Sequence, residues 1–578
     1  MKFWIRCQVL VLTFILALSF TGDVSAQSSQ SNRISSDPQY VIINLADIKE
    51  EYDWEVSDDE WNETVKPDLI KTTANIRETV GEGTDNRRLA WSVIVTYNEF
   101  PLDEPSATSP YVRYTQRILD VADEVNLPVF IPLNGFQWWN QLPELWNYWD
   151  PDGTQTPGCT NDDYASCPFP ELQDPAFRER FIAGYDPDNT YNVEWLDWET
   201  PMPINTRDWG GGPFQHAPAP NLVDHDRTPV SFKDVQMDRT KVILEHAILP
   251  QLRAWQDNGK EELFAGVAFG TEVSLNATIG EDGSFKTYGY RGVQDMYCPA
   301  DEPTCMADAP LDLIKLEEQR QQVVSQYLTD LTRQATELGL PKQRIYTHVW
   351  SEAQPEEKNK YVNYFAAAVN MYSRPGLSLY GYGTKPFELY VLHSGLRNAG
   401  EPRWAAPEFS TAPDSGPEAL QASLANERNP AQLINLYNWR EIRSTPIVPA
   451  IATFMEQSYV SPSCTVSEVF ADAPIDKNML SWSVMTDDAA TTHEVRIAAS
   501  KTELEQGQYL FTRELPIPEE EVQSFTVSTD DLEEGAYVWQ VKRIGCDEKK
   551  WTTSLPGQLE VVETVWWKRF LNYISNMW

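Results

Sequence analysis

From residue 40 onward the chain repeats one local pattern: a short apolar, β-rich run, then a longer stretch with apolar residues three or four positions apart. A strand that alternates with a helix returns the chain to the same end of a sheet each time, so the sheet must be parallel. The strand runs are Tyr40 to Ile48, Arg88 to Tyr97, Pro128 to Trp138, Phe264 to Leu275, Arg344 to Trp350, Gly376 to Gly383, Arg403 to Ser410 and Gln432 to Trp439. Between them the helical spacing is plainest in Tyr111 to Glu124, Asp238 to Asn258, Leu311 to Leu338 and Pro417 to Arg428. Eight such units predict an α/β fold, an expanded (β/α)8 TIM barrel over residues 38–460. A doubly wound open sheet is the competing arrangement, but no GxGxxG or phosphate-binding glycine loop opens any of the helices.

The third connection is the longest. Residues 140–235 carry Trp146, Trp149, Trp195, Trp198, Trp209 and the run Gly210-Gly211-Gly212. In a barrel this insertion follows strand three at the C-terminal face, where active sites are built, and a loop of such length is usually functional. The expectation is a subdomain that covers substrate.

Past residue 460 the rhythm shortens to alternating runs, Met479 to Val484, His493 to Ser500, Gln523 to Val527 and Tyr537 to Arg543, which is the signature of an antiparallel β-sandwich. The strand Leu480-Ser481-Trp482 and the run Gly535-Ala536-Tyr537-Val538-Trp539-Gln540-Val541 make residues 461–562 resemble a fibronectin type III domain. The aromatic tail 563–578, with Trp566, Trp567, Phe570 and Trp578, has the spacing of a short amphipathic helix.

At the other end, Lys2 and Arg6 precede an apolar run from Val9 to Phe20, and Val24-Ser25-Ala26 supplies small residues for cleavage. Residues 1–26 therefore read as a signal peptide and 27–37 as a polar linker, which implies a secreted, periplasmic or cell-surface location without an integral membrane segment after cleavage. Of seven cysteines, one lies in that signal, and the other six fall as Cys159/Cys167, Cys298/Cys305 and Cys464/Cys546. In an exported chain this suggests three disulfides, although the connectivity is open. No zinc-like Cys/His spacing is present, and no metal or other cofactor is expected.

With 86 acidic against 46 basic residues the formal charge is -40, so nucleic acid and polyanions are poor partners. The 21 Trp and 25 Tyr suit a carbohydrate partner, because aromatic faces stack on the apolar faces of sugar rings. Nothing in the sequence specifies an oligomeric state.

Side chains alternate along a strand, and in a barrel the last inward residue faces the active site. On that parity Gly266, Ala268, Gly270 and Glu272 share a face in strand four, and Trp404, Ala406 and Glu408 in strand seven. A carboxylate ending each apolar strand is costly to desolvate unless paired or functional. The arrangement resembles the clan A glycoside hydrolases, whose acid/base is a Glu ending strand four and whose nucleophile is a Glu ending strand seven. That resemblance covers the barrel and implies Glu272 as acid/base and Glu408 as nucleophile, although Thr271 stands where most of these families have Asn. It also makes Tyr382 the partner of the nucleophile and Trp439 the floor of the first subsite.

Parity adds further candidates for the cleft: Asn134 and Trp138 on strand three, His348 and Trp350 on strand five, Tyr380 with Tyr382 on strand six, and Tyr437 with Trp439 on strand eight. Glu99, in Tyr97-Asn98-Glu99, falls on the second strand, where the resemblance puts no acid; Glu352 and Glu199 are the reserve candidates, and Asp197 is a candidate for sugar hydroxyls. The resulting expectation is a retaining hydrolase of β-linked oligo- or polysaccharides. A non-catalytic carbohydrate-binding or scaffold protein on the same barrel is the alternative.

Overall fold

The computed structural model describes residues 38–45, 56–136, 138–148, 170–202, 217–298, 313–350, 365–380, 403–410 and 431–456, apart from short breaks, and a set of strands between 470 and 561. The signal, linker, tail and Pro417 to Arg428 fall outside these residues, as do Tyr382, Glu352, Trp149 and Trp209.

Eight parallel strands close on themselves: β1 (Gln39–Asn44), β2 (Arg87–Ser92), β3 (Val129–Leu133), β4 (Phe264–Val273), β5 (Ile345–Val349), β6 (Gly376–Tyr380), β7 (Trp404–Ser410) and β8 (Ala431–Leu436). Each pairs with the next, and β1 pairs with both β8 and β2, which removes every edge from the ring. The eight strands of the (β/α)8 expectation are thus all present, while the segments that follow β6 and β7 lie outside the described residues. Several strands are shorter than their apolar runs, and Asn134, Trp138, Tyr437 and Trp439 lie on the connections just beyond β3 and β8 instead of on the strands themselves.

Two apolar layers result from the alternation. Tyr40 and Ile42 of β1, Ala90 of β2, Phe130 of β3, Ala265 and Ala268 of β4, Tyr346 of β5, Ala405 of β7 and Leu433 of β8 pack together as the barrel interior. Residues of opposite parity, such as Val41, Trp91, Ile131, Val267, Trp404 and Ile434, belong to the layer that meets the helices. Those helices include α1 (Lys66–Val80) and α2 (Pro110–Val125). In α2, proline sits in the first turn and Asn126 adopts a left-handed conformation at the C-cap, while Tyr111, Val112, Thr115, Ile118, Leu119 and Ala122 form its buried stripe.

Within the insertion, α3 (Pro175–Ala183) and several single turns are built around Trp146, Phe177 and Phe181, all buried. Buried asparagines satisfy its irregular backbone: Asn189 donates to the carbonyls of Glu144, Asn147 and Gly184, and Asn192 to those of Leu145 and Val230. Trp146 is fully buried and donates its indole N–H to the Trp139 carbonyl, so this tryptophan is core and does not face a sugar. Helices α4 (Phe232–Ile243), α5 (Tyr290–Tyr297), α6 (Leu313–Glu337) and α7 (Ile447–Glu456) follow along the chain. Cys298, the C-cap of α5, is disulfide-bonded. The strands between 470 and 561 pair antiparallel in one sheet of three and one of five, in keeping with a β-sandwich.

Candidate active site

The two carboxylates reach the same rim through irregular backbone, not through regular alternation. In β7, Ala405 lies in the barrel interior whereas Trp404, Ala406 and Phe409 belong to the helix-facing layer. Simple parity from Ala405 would turn Glu408 outward. The pairing with β6 slips between Ala405↔Gly376 and Glu408↔Ser378, three residues against two, so a bulge around Pro407 brings Glu408 level with Ser378. The face assigned to Trp404 and Ala406 from sequence is therefore corrected: both belong to the apolar cluster outside the barrel interior, and the bulge is what returns Glu408 to the site.

Strand β4 behaves alike. Its pairing with β5 breaks between Phe269 and Val273, and Gly270, Thr271 and Glu272 all have positive φ, at 108°, 32° and 58°. Positive φ costs a non-glycine residue of order 1 to 3 kcal/mol, and residues held in this way concentrate at functional sites. The Thr271-Glu272 pair thus marks a strained turn at the strand's C-terminal end.

A buried polar layer holds the bulge in β7. Asn435 of β8 donates to the Pro407 carbonyl at 2.8 Å and accepts from Ser92 of β2 at 2.8 Å, while Asn44 of β1 donates to Ser92 at 3.2 Å. These side chains satisfy the backbone group that the bulge takes out of the ladder. Gly376 is needed beside it, since a Cβ there would lie 2.0 Å from the Thr347 carbonyl oxygen and 2.8 Å from Cγ of Pro407.

At this rim, one ligand-capable atom from each of Glu272, His348 and Glu408 lies within 4.8 Å of the other two. Glu272 is 6% exposed and Glu408 half-buried. Ser378 Oγ, fully buried, donates to Glu272 Oε1 at 2.7 Å and lies 2.8 Å from His348 Nε2. Burial alone pushes the His348 pKa down to about 3, so the ring is neutral over the ordinary pH range. Ser378 thus bridges His348 and Glu272 by hydrogen bonds, while Glu408 approaches the pair from β7.

His348 is only 2% exposed and reaches Glu272 through Ser378. Asn134 is buried just beyond β3, and Trp138 is half-buried with φ of 66°. Trp350 follows β5 and is half-buried, as is Tyr437; Trp439 is buried at the start of a short helix capped by Asn438. Tyr380 ends β6 at the same rim. Glu99 lies on a 3-10 turn and accepts from Thr96, and Asp197 accepts from the amides of Glu199 and Thr200 within an exposed turn.

Two residues escaped the sequence reading. Ser378 carries no motif, and only its parity with Gly376 on β6 marks it. Glu194 lies in the insertion between Val193 and Trp195, fully buried, and accepts from the Arg291 and Gly292 amides of α5. Its burial, which outweighs the Gly292 amide and the nearby Arg291 and Arg320, pushes the carboxyl up to about 7.

The fold and the rim together define a (β/α)8-barrel protein with two glutamates facing one another at the C-terminal ends of β4 and β7. No protein-family model and no curated protein sequence matches the chain. Among solved structures it is similar to an endo-β-1,4-mannanase from Thermotoga petrophila, at 8% identity over 92% of this chain and 99% of that one, with a TM-score of 0.36. A glycoside hydrolase family 5 enzyme from Prevotella bryantii B14 aligns at 10% identity over 74% of this chain and 97% of that one, with a TM-score of 0.32. Endo-glycoceramidase II from Rhodococcus sp. aligns at 10% identity over 85% and 97%, also at 0.32. Superpositions this loose carry no weight for activity, and the barrel stands on its own strand pairing.

Proposed function

We propose that the protein is an exported, retaining glycoside hydrolase acting on β-linked oligo- or polysaccharides, with Glu272 as acid/base and Glu408 as nucleophile and a fibronectin type III-like module behind the barrel. The observation that carries this reading is the approach of the Glu272 and Glu408 side chains to within 4.8 Å at one barrel rim. Retaining hydrolysis uses carboxyl groups about 5 to 5.5 Å apart, whereas inversion needs about 6.5 to 9.5 Å to admit a water between them. The close approach supports retention.

The environments support the division of roles. Glu272 is the more buried carboxylate and Glu408 the more open, which matches an acid in the drier surroundings and a nucleophile in the wetter. Attack by Glu408 on the anomeric carbon would expel the leaving oxygen, protonated by Glu272. Water activated by Glu272 would then release the sugar with its configuration kept.

The test replaces each glutamate by glutamine and follows aryl β-glycosides and β-glucan, galactan and mannan oligomers. Both variants are expected to lose at least about a thousandfold in kcat, a typical order for removing such a group. NMR of the first-formed anomer should report retention. Full activity in either variant would refute the assignment, and glycan binding without turnover would favour the non-catalytic reading.

A further inference from the structure

We propose that His348 and Ser378 are positioning residues for Glu272, forming a donor chain of fixed direction that keeps Oε1 an acceptor and leaves the mobile proton of the acid on Oε2. This deepens the hydrolase reading above and rests on Glu272 being its acid/base.

The argument is one of counting protons. The Ser378 hydroxyl has a single hydrogen and two close neighbours, Glu272 Oε1 at 2.7 Å and His348 Nε2 at 2.8 Å. If that hydrogen points to Oε1, Nε2 must carry a hydrogen and donate to Oγ, and Nδ1 is left as a bare lone pair. Were the ring reversed, Nδ1–H would be a donor buried without a partner, since Nδ1 has none. An orphaned buried N–H is rarer and costlier than an under-used acceptor, so the first arrangement is favoured. The hydroxyl would otherwise point its lone pair at the carboxylate.

Burial keeps the imidazole neutral down to about pH 3. The reversed tautomer would strand a buried Nδ1–H in either state of Glu272, so the chain does not reverse when Glu272 changes state. Oε1 accepts from Ser378 whether the carboxyl is ionised or protonated, so protonation falls on Oε2. Among the described residues, His348 from β5 and Glu408 from β7 bring titratable groups close to Glu272. His348 does not charge in the working range. Ser378 has a special claim to this role because Gly376, two residues before it, lets β6 approach both the Thr347 carbonyl and Pro407.

The direct test labels histidine with 15N in the wild-type protein and reads the His348 ring nitrogens from pH 5 to pH 9. A protonated Nε2 and bare Nδ1 throughout are expected; an Nδ1–H tautomer, or an imidazolium forming in that window, overturns the proposal. This reading needs no substrate, so it stands apart from whether glycosides are cleaved. The kinetic test compares Ser378→Ala with Ser378→Thr on aryl glycosides of poor and of activated leaving group. Loss of the donor should lower kcat/KM roughly tenfold or more on poor leaving groups, which need the acid, and little on activated ones. Its basic limb should move up by about one pH unit, because the ionised carboxylate has lost a donor. Ser378→Thr and His348→Gln, which keep a donor in place, should retain the wild-type profile. An equal loss on both leaving groups with an unmoved limb would show a merely structural role and overturn the proposal.

Discussion

At the scale of single residues, Glu194 gives the sharpest pH signature. Its folded carboxyl binds a proton more tightly than the unfolded one, with a pKa of about 7 against 4.5. Its contribution to stability is therefore complete below about pH 4.5 and is lost as pH rises through 7. The loss is of order 3 kcal/mol at most, from about 1.4 kcal/mol per unit. Glu194→Gln keeps an acceptor for the two α5 amides without the buried charge. Urea denaturation should find it more stable than wild type at pH 8, with the difference vanishing near pH 4.5; an equal offset at both pH values would sink this account. His348 acts in the opposite sense. Its depressed pKa supplies stability above about 6.5 that disappears as pH falls toward 3. Neither behaviour was legible in the sequence, because Val193-Glu194-Trp195 and Thr347-His348-Val349 give parity but not what lies opposite.

At the scale of elements, the near-continuous apolar runs of β1, β4 and β8 made the eight strands readable, since a strand buried on both faces needs no polar alternation. The residues that end β4 and β7 were readable too. The route to them was not, because a bulge has no compositional mark beyond a proline or glycine, and one extra residue exchanges the two faces of a strand. Pro407 and Gly270 are the marks here. Gly270→Ala would add a Cβ 2.7 Å from Leu328 Cδ2 and 2.8 Å from Val273 Cγ2 at a φ of 108°. The expected cost is at least about 1 to 3 kcal/mol, read as a lower Tm, together with loss of activity through a displaced Glu272. Asn435→Ala should cost about 2 kcal/mol by stranding the Pro407 carbonyl and the Ser92 hydroxyl. Replacing Asn435 by Ala without any change in Tm would show that the polar layer does not hold the bulge. The tryptophans of the insertion teach the same lesson: Trp146 looks identical to Trp195 in sequence, and only the packing distinguishes a core side chain from a half-buried one.

For the whole molecule, charge is the dominant global term. A formal charge of -40 repels itself in the compact state, and salt screens that repulsion over a length that falls from roughly 30 Å at 0.01 M to about 8 Å at 0.15 M. Tm is expected to rise by several degrees over this range of NaCl, whereas an uncharged osmolyte at equal osmolality should not reproduce the curve's saturation. A Tm that falls with salt would mean that attractive ion pairs outweigh the net repulsion.

The closing of the ring by β1 has a bearing on how the chain is made. Gln39 bonds the Ala431 carbonyl across 392 positions, so one flank of the first strand has no neighbour until the eighth has been synthesised. At about 5 to 20 residues per second that interval is on the order of 20 to 80 seconds. Throughout it Tyr40, Val41, Ile42 and Ile43 present a bare, sticky margin, and a nascent protein in that condition depends on a holdase, or on delayed compaction, to escape aggregation.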